Sequence, residues 1–397
     1  MLSTLPILAA LLGTAPFAAA APNGWHQQHP DTYAHPSNGN CEDYTVKESI
    51  TSPNLHWAYP IFKDNYDVAG FLFNMTRKDR ATTFVPFDGI QNVTDTYEVS
   101  GTFCSPKTLR GGKEKTVLVA THGLGYDRRY WASTFEADEY NYVQHALGQG
   151  YSVFYYDRLG TGKSQKISGF VNQAGLQTAL LGKIVAGVRS GKYAGGKQTE
   201  KIVLVGHSFG SYISNALIAA QPDIVEGAVL TGISYAAPND TTNASASPYI
   251  GAIFALRIAS TLSKAFATLD TGYLGFGDIY THIQTFFHQP NYAVPVAQYA
   301  QSISQPLAIA ELLSLNALSL LAPEYKGKVL VTTGEFDFIV CSGECKSTFK
   351  EEAYKGVFNG TKDVEGYVHP GAGHGVNFGA NATGFYDVIG EFLDKSF

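Results

Sequence analysis

Ser208 stands at the centre of Gly206-His207-Ser208-Phe209-Gly210, after an apolar, β-branched run at residues 202–205 and before a helix-compatible segment at 211–221. Strand, tight turn and helix in that order form a nucleophile elbow, which lifts a serine Oγ clear of a sheet. Glycines two residues to either side let neighbouring backbone approach without a Cβ clash. A serine hydroxyl is a poor nucleophile at neutral pH, so it needs a general base, and the base needs an acid to fix its tautomer. His374, in the loop Pro370-Gly371-Ala372-Gly373-His374-Gly375, is the expected base, with His369 as its rival. Asp337, in Gly334-Glu335-Phe336-Asp337 after an apolar run, is the expected acid, with Glu335 as its rival. An oxyanion formed at an attacked carbonyl needs hydrogen-bond donors as well. The backbone N–H of Phe209 offers one, and that of Leu124, in Thr121-His122-Gly123-Leu124-Gly125, offers the other. His122 is expected to order this loop by hydrogen bonding, and His207 to point away from the site. The chemistry described is acyl transfer through a serine, requiring no metal and no cofactor.

These side chains must be held by a scaffold. Strands are expected at 116–121, 153–156, 202–205, 228–231, 328–333 and 364–369. Helix-compatible segments lie at 130–147, 172–188, 211–221 and 384–395, the second with an apolar stripe at Leu176, Leu180, Leu181 and Ile184. The alternation implies a largely parallel sheet covered by helices on both faces. Earlier strands are expected at 83–87 and 97–103 around a turn at Asp88-Gly89, after a mixed stretch at 41–63. Between 236 and 323 the alternation gives way to long helix-compatible runs, such as 250–267 and 306–321. This segment reads as an inserted helical cap, leaving 41–235 and 324–397 as the core. The turn Asp157-Arg158-Leu159-Gly160-Thr161-Gly162-Lys163-Ser164 lacks a Walker pattern and reads as structural.

The chain has 397 residues, 45% of them hydrophobic, enough for one large α/β domain with an insertion. A net charge of -6 with no Lys/Arg block gives no support for nucleic-acid or anionic-membrane binding. Residues 1–21 are Ala/Leu-rich, interrupted by Pro6, Gly13 and Pro16, and end in small residues. They read as a signal peptide rather than a membrane span, with residues 22–40 as an irregular polar arm. The mature protein is therefore expected to be secreted, extracellular and without a transmembrane segment. Sequons at Asn74, Asn92, Asn239, Asn243, Asn359 and Asn381 agree with that route. The even set Cys41, Cys104, Cys341 and Cys345 suits an oxidising compartment. Three pairings are possible; Cys41 with Cys104 and Cys341 with Cys345 are expected, a zinc site being the unsupported rival.

The His122-Gly123 loop, the Asp157-to-Ser164 turn, the Gly206-to-Gly210 elbow, Gly334-x-x-Asp337 and Gly373-His374-Gly375, in this order, resemble the α/β-hydrolase fold-1 family, and in particular its secreted fungal esterase- and lipase-like members. The resemblance runs from about residue 116 to the C-terminus. It implies an eight-stranded, mostly parallel sheet and a Ser208–His374–Asp337 triad, and the serine argues against the branches with aspartate at the elbow. The expected substrate is a small neutral, partly lipophilic carboxylic ester, because charged residues are sparse in the presumed cap. A prolyl-type aminopeptidase would need cap carboxylates to bind an ammonium group. Only Asp270 and Asp278 lie close enough in sequence to do so, since Asp240 sits among sequons and Glu311 is expected to face solvent. A catalytically silent binding protein on the same fold is the third reading. Oligomeric state is left open.

Overall fold

Val117 to Ala120 and Ile202 to Val205 are buried along their whole length, as happens when a strand has helices on both faces. In the computed structural model, which describes residues 33–197, 199–235 and 255–397, these runs lie at the centre of an eight-stranded sheet. Its strands are β1 (Gly39–Trp57), β2 (Phe87–Pro106), β3 (Thr116–Thr121), β4 (Ser152–Tyr156), β5 (Lys201–His207), β6 (Gly227–Thr231), β10 (Lys328–Gly334) and β11 (Val364–His369). They run in the order β1-β2-β4-β3-β5-β6-β10-β11. β1 pairs antiparallel with β2, and β2 with β4; every other pair is parallel.

Successive strand side chains point to opposite faces, so each central strand feeds two cores. Val117, Val119, Ile202 and Leu204 pack with Leu180, Ile184, Ile213 and Leu217 from helices Ala174–Arg189 and Phe209–Ala220. Leu118, Ala120, Val203 and Val205 pack with Val143, Leu147, Ile389 and Leu393 from helices Tyr142–Gln149 and Ala382–Ser396. Full burial of each such Val, Leu or Ile contributes roughly 1.5–3 kcal/mol. The mostly parallel sheet with helices on both faces is thus as expected.

Three expectations need correction. First, β1 is a 19-residue strand where a polar arm and a mixed stretch are expected. Its inward positions include Val46 and Ile50 but also Ser52 and Asn54, so polar residues interrupt the alternation that marks a strand. Ser52 donates to Asn54 at 3.0 Å, which lets both be buried. Ahead of β2, residues 80–83 are a helical turn, and Asp88-Gly89 falls at a register shift between the β1 and β2 pairs instead of at a turn. Second, the helix expected at 130–147 is broken. Asn141 accepts from Gln144 N at 2.8 Å and starts a new helix at Tyr142.

Third, the described part of the insertion, 255–323, is not simply helical. It lies in sequence between β6 and β10, which are neighbours in the main sheet. It contains a three-stranded antiparallel sheet, β7 (Leu256–Ile258), β8 (Tyr273–Phe276) and β9 (Leu307–Ala308), with helices Ile279–Phe286 and Val294–Ser302. Short apolar runs do not distinguish strand from helix by period alone. Here the glycine-rich run around β8 packs Gly272 against Gly169, too close for a side chain at either position. The presumed signal peptide and the Asn239 and Asn243 sequons lie outside the described residues.

Cys41 faces Cys104 across β1 and β2, and both expected cysteine pairs, Cys41 with Cys104 and Cys341 with Cys345, are disulfide-bonded. Asn92, Asn359 and Asn381 are exposed and Asn74 is half-buried. Among the described residues no helix is long and apolar enough to cross a membrane.

Candidate active site

β5 ends at His207, and Ser208 takes φ 51° and ψ -120° before the helix Phe209–Ala220 begins. A positive φ is strained for a residue with a Cβ and persists only where the surroundings enforce it. Here Ser208 N donates to Thr231 O on β6 at 2.8 Å, and Ser211 N donates back to Ser208 O at 2.8 Å. The flanking glycines are a packing requirement. A Cβ on Gly210 would overlap Thr121 O, and one on Gly123 would lie 2.9 Å from the Ser208 Cβ. The loop after β3 is therefore pressed directly against the elbow.

Asp337 follows β10 and is fully buried. Its Oδ1 accepts from the N–H groups of Ile339 (2.9 Å) and Val340 (3.1 Å), which open the helix Phe338–Cys341. Its Oδ2 accepts from Thr333 Oγ1 at 2.5 Å and from His374 Nδ1 at 2.7 Å. An ionised carboxylate only accepts, so Nδ1 carries the imidazole proton and Nε2 is left as the basic nitrogen. The His374 loop is fixed from the insertion, where Phe286 O accepts from Gly375 N at 2.7 Å. Ser208 and His374 line one cavity. Among the described residues Ser208 Oγ makes no hydrogen bond.

Leu124 and Phe209 line the same cavity, and among the described residues neither backbone N–H has an acceptor. His122 orders the Leu124 loop, as expected. Its ring Nδ1 donates to Gly123 O at 2.8 Å and its Nε2 accepts from Arg158 N at 3.0 Å. Burial, reinforced by the Arg158 charge, pushes its pKa down to about 3, so the ring is neutral. His207 does not line the cavity. Its ring lies 5.0 Å from the His374 ring and stacks on Tyr130 at 4.4 Å. Thr231 Oγ1 donates to Gly206 O and accepts from His207 Nδ1 at 3.0 Å. Burial, then the neighbouring His374 and His122, hold its pKa well below the ordinary histidine range.

The cavity encloses about 60 Å³. The insertion supplies Leu256, Phe276, Phe286, Leu307 and Leu312 to its wall, and among the described residues no carboxylate lines it. The rival residues lie elsewhere: Glu335 pairs with Lys346 and accepts from Gly371 N, and His369 Nε2 lies 3.1 Å from Asn381 O. Asp270 accepts from Gly169 N (3.1 Å) and Gly272 N (3.0 Å), while Asp278 caps the helix Ile279–Phe286. Glu311 is not solvent-facing but 1% exposed and ion-paired with Arg158. Sequence reading also misses Thr333 and Thr231, since a hydroxyl inside a β-branched strand carries no signal of its partner. Among the described residues, no three His, Cys, Asp or Glu side chains group to hold a metal ion.

Residues 117–388 match the model of a family described as the alpha/beta hydrolase family. Among solved structures, an esterase from Thermogutta terrifontis aligns over 76% of this chain and 94% of its own, at 20% identity and TM-score 0.52. A bacterial membrane phospholipase A aligns over 75% and 83%, at 16% identity and TM-score 0.50. A putative lipase from Acinetobacter baumannii aligns over 75% and 88%, at 17% identity and TM-score 0.50. At these identities the likeness is one of fold. No curated protein matches the sequence.

Proposed function

Because this chain belongs to the alpha/beta hydrolase family, we propose that it is a secreted serine hydrolase acting on small, neutral carboxylic esters. The observation that carries this reading is the convergence of Ser208, His374, Leu124 and Phe209 on one apolar cavity, with His374 hydrogen-bonded to a buried Asp337. In the proposed reaction His374 Nε2 takes the Ser208 proton as Oγ attacks the ester carbonyl. Asp337 keeps the imidazole in the required tautomer and stabilises the imidazolium that forms. The Leu124 and Phe209 N–H groups donate to the developing oxyanion, and His374 then protonates the leaving alcohol. Water, deprotonated by the same histidine, attacks the acyl-enzyme and releases the acid.

The wall of the cavity supports the substrate class. An ammonium group held there would need a desolvated carboxylate as partner, and among the described residues none lines the cavity. Its size favours short acyl groups. Secretion is part of the proposal: the two disulfides and the exposed sequon asparagines suit an oxidising, glycosylating route.

The test is a panel of aryl esters of rising acyl length beside aminoacyl arylamides, run on wild type and Ser208→Ala. Ester turnover that falls with acyl length, vanishes in Ser208→Ala and exceeds arylamide turnover after correction for intrinsic reactivity supports the proposal. Efficient arylamide turnover that Asp270→Asn or Asp278→Asn selectively removes would replace it with an aminopeptidase.

A further inference from the structure

Arg158 stands in a turn that reads as merely structural, yet its side chain is fully buried where three parts of the molecule meet. Its Nε donates to His122 O at 3.1 Å and its Nη2 to Gly123 O at 3.3 Å, both on the loop after β3. Its guanidinium carbon lies 4.4 Å from the centroid of the Phe209 ring, on the elbow. Its Nη1 donates to Glu311, on the helix Ile309–Ser314 of the insertion. Glu311 is otherwise satisfied by Gln177 Nε2 at 2.8 Å and Ala308 N at 3.2 Å.

The peptide plane explains what this contact does. Gly123 O and Leu124 N–H belong to one trans amide, in which carbonyl and N–H point in opposite directions. Fixing Gly123 O therefore fixes where the Leu124 N–H points. Two donors hold that oxygen, His122 Nδ1 at 2.8 Å and Arg158 Nη2. A hydrogen bond to the carbonyl, here from a cation, also polarises the amide and strengthens its N–H as a donor. The planar guanidinium suits this task, since it reaches two carbonyls and a carboxylate while stacking on an aromatic face; an ammonium group does not.

We infer that Arg158 is a positioning residue that aims the Leu124 N–H at the oxyanion, and that Glu311 keys its guanidinium from the insertion. The inference rests on the serine-hydrolase reading above. It gives the insertion a second role besides shaping the acyl pocket: it sets the transition-state donor through one ion pair. Arg158 touches no substrate, and its contribution appears only as charge develops on the carbonyl oxygen.

The experiment compares wild type, Arg158→Lys, Glu311→Gln and the double variant on a short-chain aryl ester. Active sites are counted by end-point titration with a fluorophosphonate, and Tm is recorded in parallel. Arg158→Lys keeps a charge beside Glu311 but cannot hold both carbonyls. It is expected to lower kcat per titrated site about 10- to 100-fold with KM changed by less than about threefold, because the lost interaction belongs to the transition state. Glu311→Gln is expected to lower kcat about three- to tenfold, and the double variant to be no worse than Arg158→Lys, since both act through one contact. A Cys41→Ser/Cys104→Ser variant, destabilised far from the site, should lose Tm but not kcat per titrated site. Should Arg158→Lys fail to fold, Glu311→Gln carries the test, because it gives up only the Ala308 contact and a charge. Unchanged kcat per site in Arg158→Lys and Glu311→Gln, or a rise in KM alone, overturns the inference while leaving the hydrolase reading intact. Wild-type protein that takes up no fluorophosphonate overturns both.

Discussion

Asp337→Asn isolates the tautomer of His374 from the rest of the fold. Oδ1 accepts two backbone N–H groups, from Ile339 and Val340, so the amide oxygen must take that position. The amide NH2 then occupies the Oδ2 position, facing Thr333 Oγ1 and His374 Nδ1. The Thr333 hydroxyl can rotate to accept. His374 Nδ1 can accept only if its proton moves to Nε2, and an Nε2 that carries a proton cannot take one from Ser208. All four contacts are remade, so Tm should stay within a few degrees of wild type. Turnover should fall about 10³- to 10⁴-fold, the effect expected of a wrong-tautomer triad and equivalent to about 4–5.5 kcal/mol of barrier. The assay is kcat on a short-chain aryl ester at pH 8, per titrated site, beside a thermal melt. An Asn variant that keeps more than a tenth of the wild-type kcat would refute the reasoning. So would a rate loss matched by wholesale loss of folded protein.

Further outcomes follow from other contacts. Glu335→Gln and His369→Ala should each cost less than tenfold in kcat, since neither residue touches the Asp337–His374 pair; a larger loss on either would move the acid or the base. Removing the Cys41–Cys104 bridge, whose partners are 63 residues apart, should cost about 2–4 kcal/mol in urea unfolding with kcat per site unchanged. Burial holds both His122 and His282 neutral, with pKa values down to about 3 against an ordinary 6.5. The unfolded chain thus binds more protons than the folded one between about pH 3 and pH 6.5, so stability must fall as pH drops through that window. Urea midpoints from pH 7 to pH 4 check this, and His282→Gln should reduce the slope by about one proton; a flat profile would contradict it.

The core was legible where period and chemistry agreed. Strand runs at 116–121 and 202–205 are apolar throughout because both faces are covered, and the elbow glycines stand where a Cβ would strike Thr121 O or Ser211. Asp337 and His374 could be paired from their places after late strands, and the structure brings them to 2.7 Å. β1 was illegible because Glu48, Ser52 and Asn54 occupy inward positions and find partners only in the fold, Glu48 with Lys192 and Tyr193. The strands of the insertion are not legible because runs as short as β7 and β9 have no measurable period. Glu311 and Arg158 are the sharpest miss. A carboxylate in a helical run looks solvated, an arginine in a turn carries no sign of its partner, and only the approach of the insertion to the loop after β3 buries them together. His207 points away from the Ser208 cavity as its place in the turn predicts, but its 5.0 Å approach to the His374 ring carries no sequence signal.

The central claim is that Ser208 is the nucleophile. Its most direct test is to react the wild-type protein with a fluorophosphonate, digest it without further treatment, and locate the adduct by peptide mass spectrometry. The account predicts one adduct per chain, on the peptide containing Ser208, formed slowly in His374→Ala and absent in Ser208→Ala. An adduct on any other residue, or labelling that persists undiminished in Ser208→Ala, would contradict it.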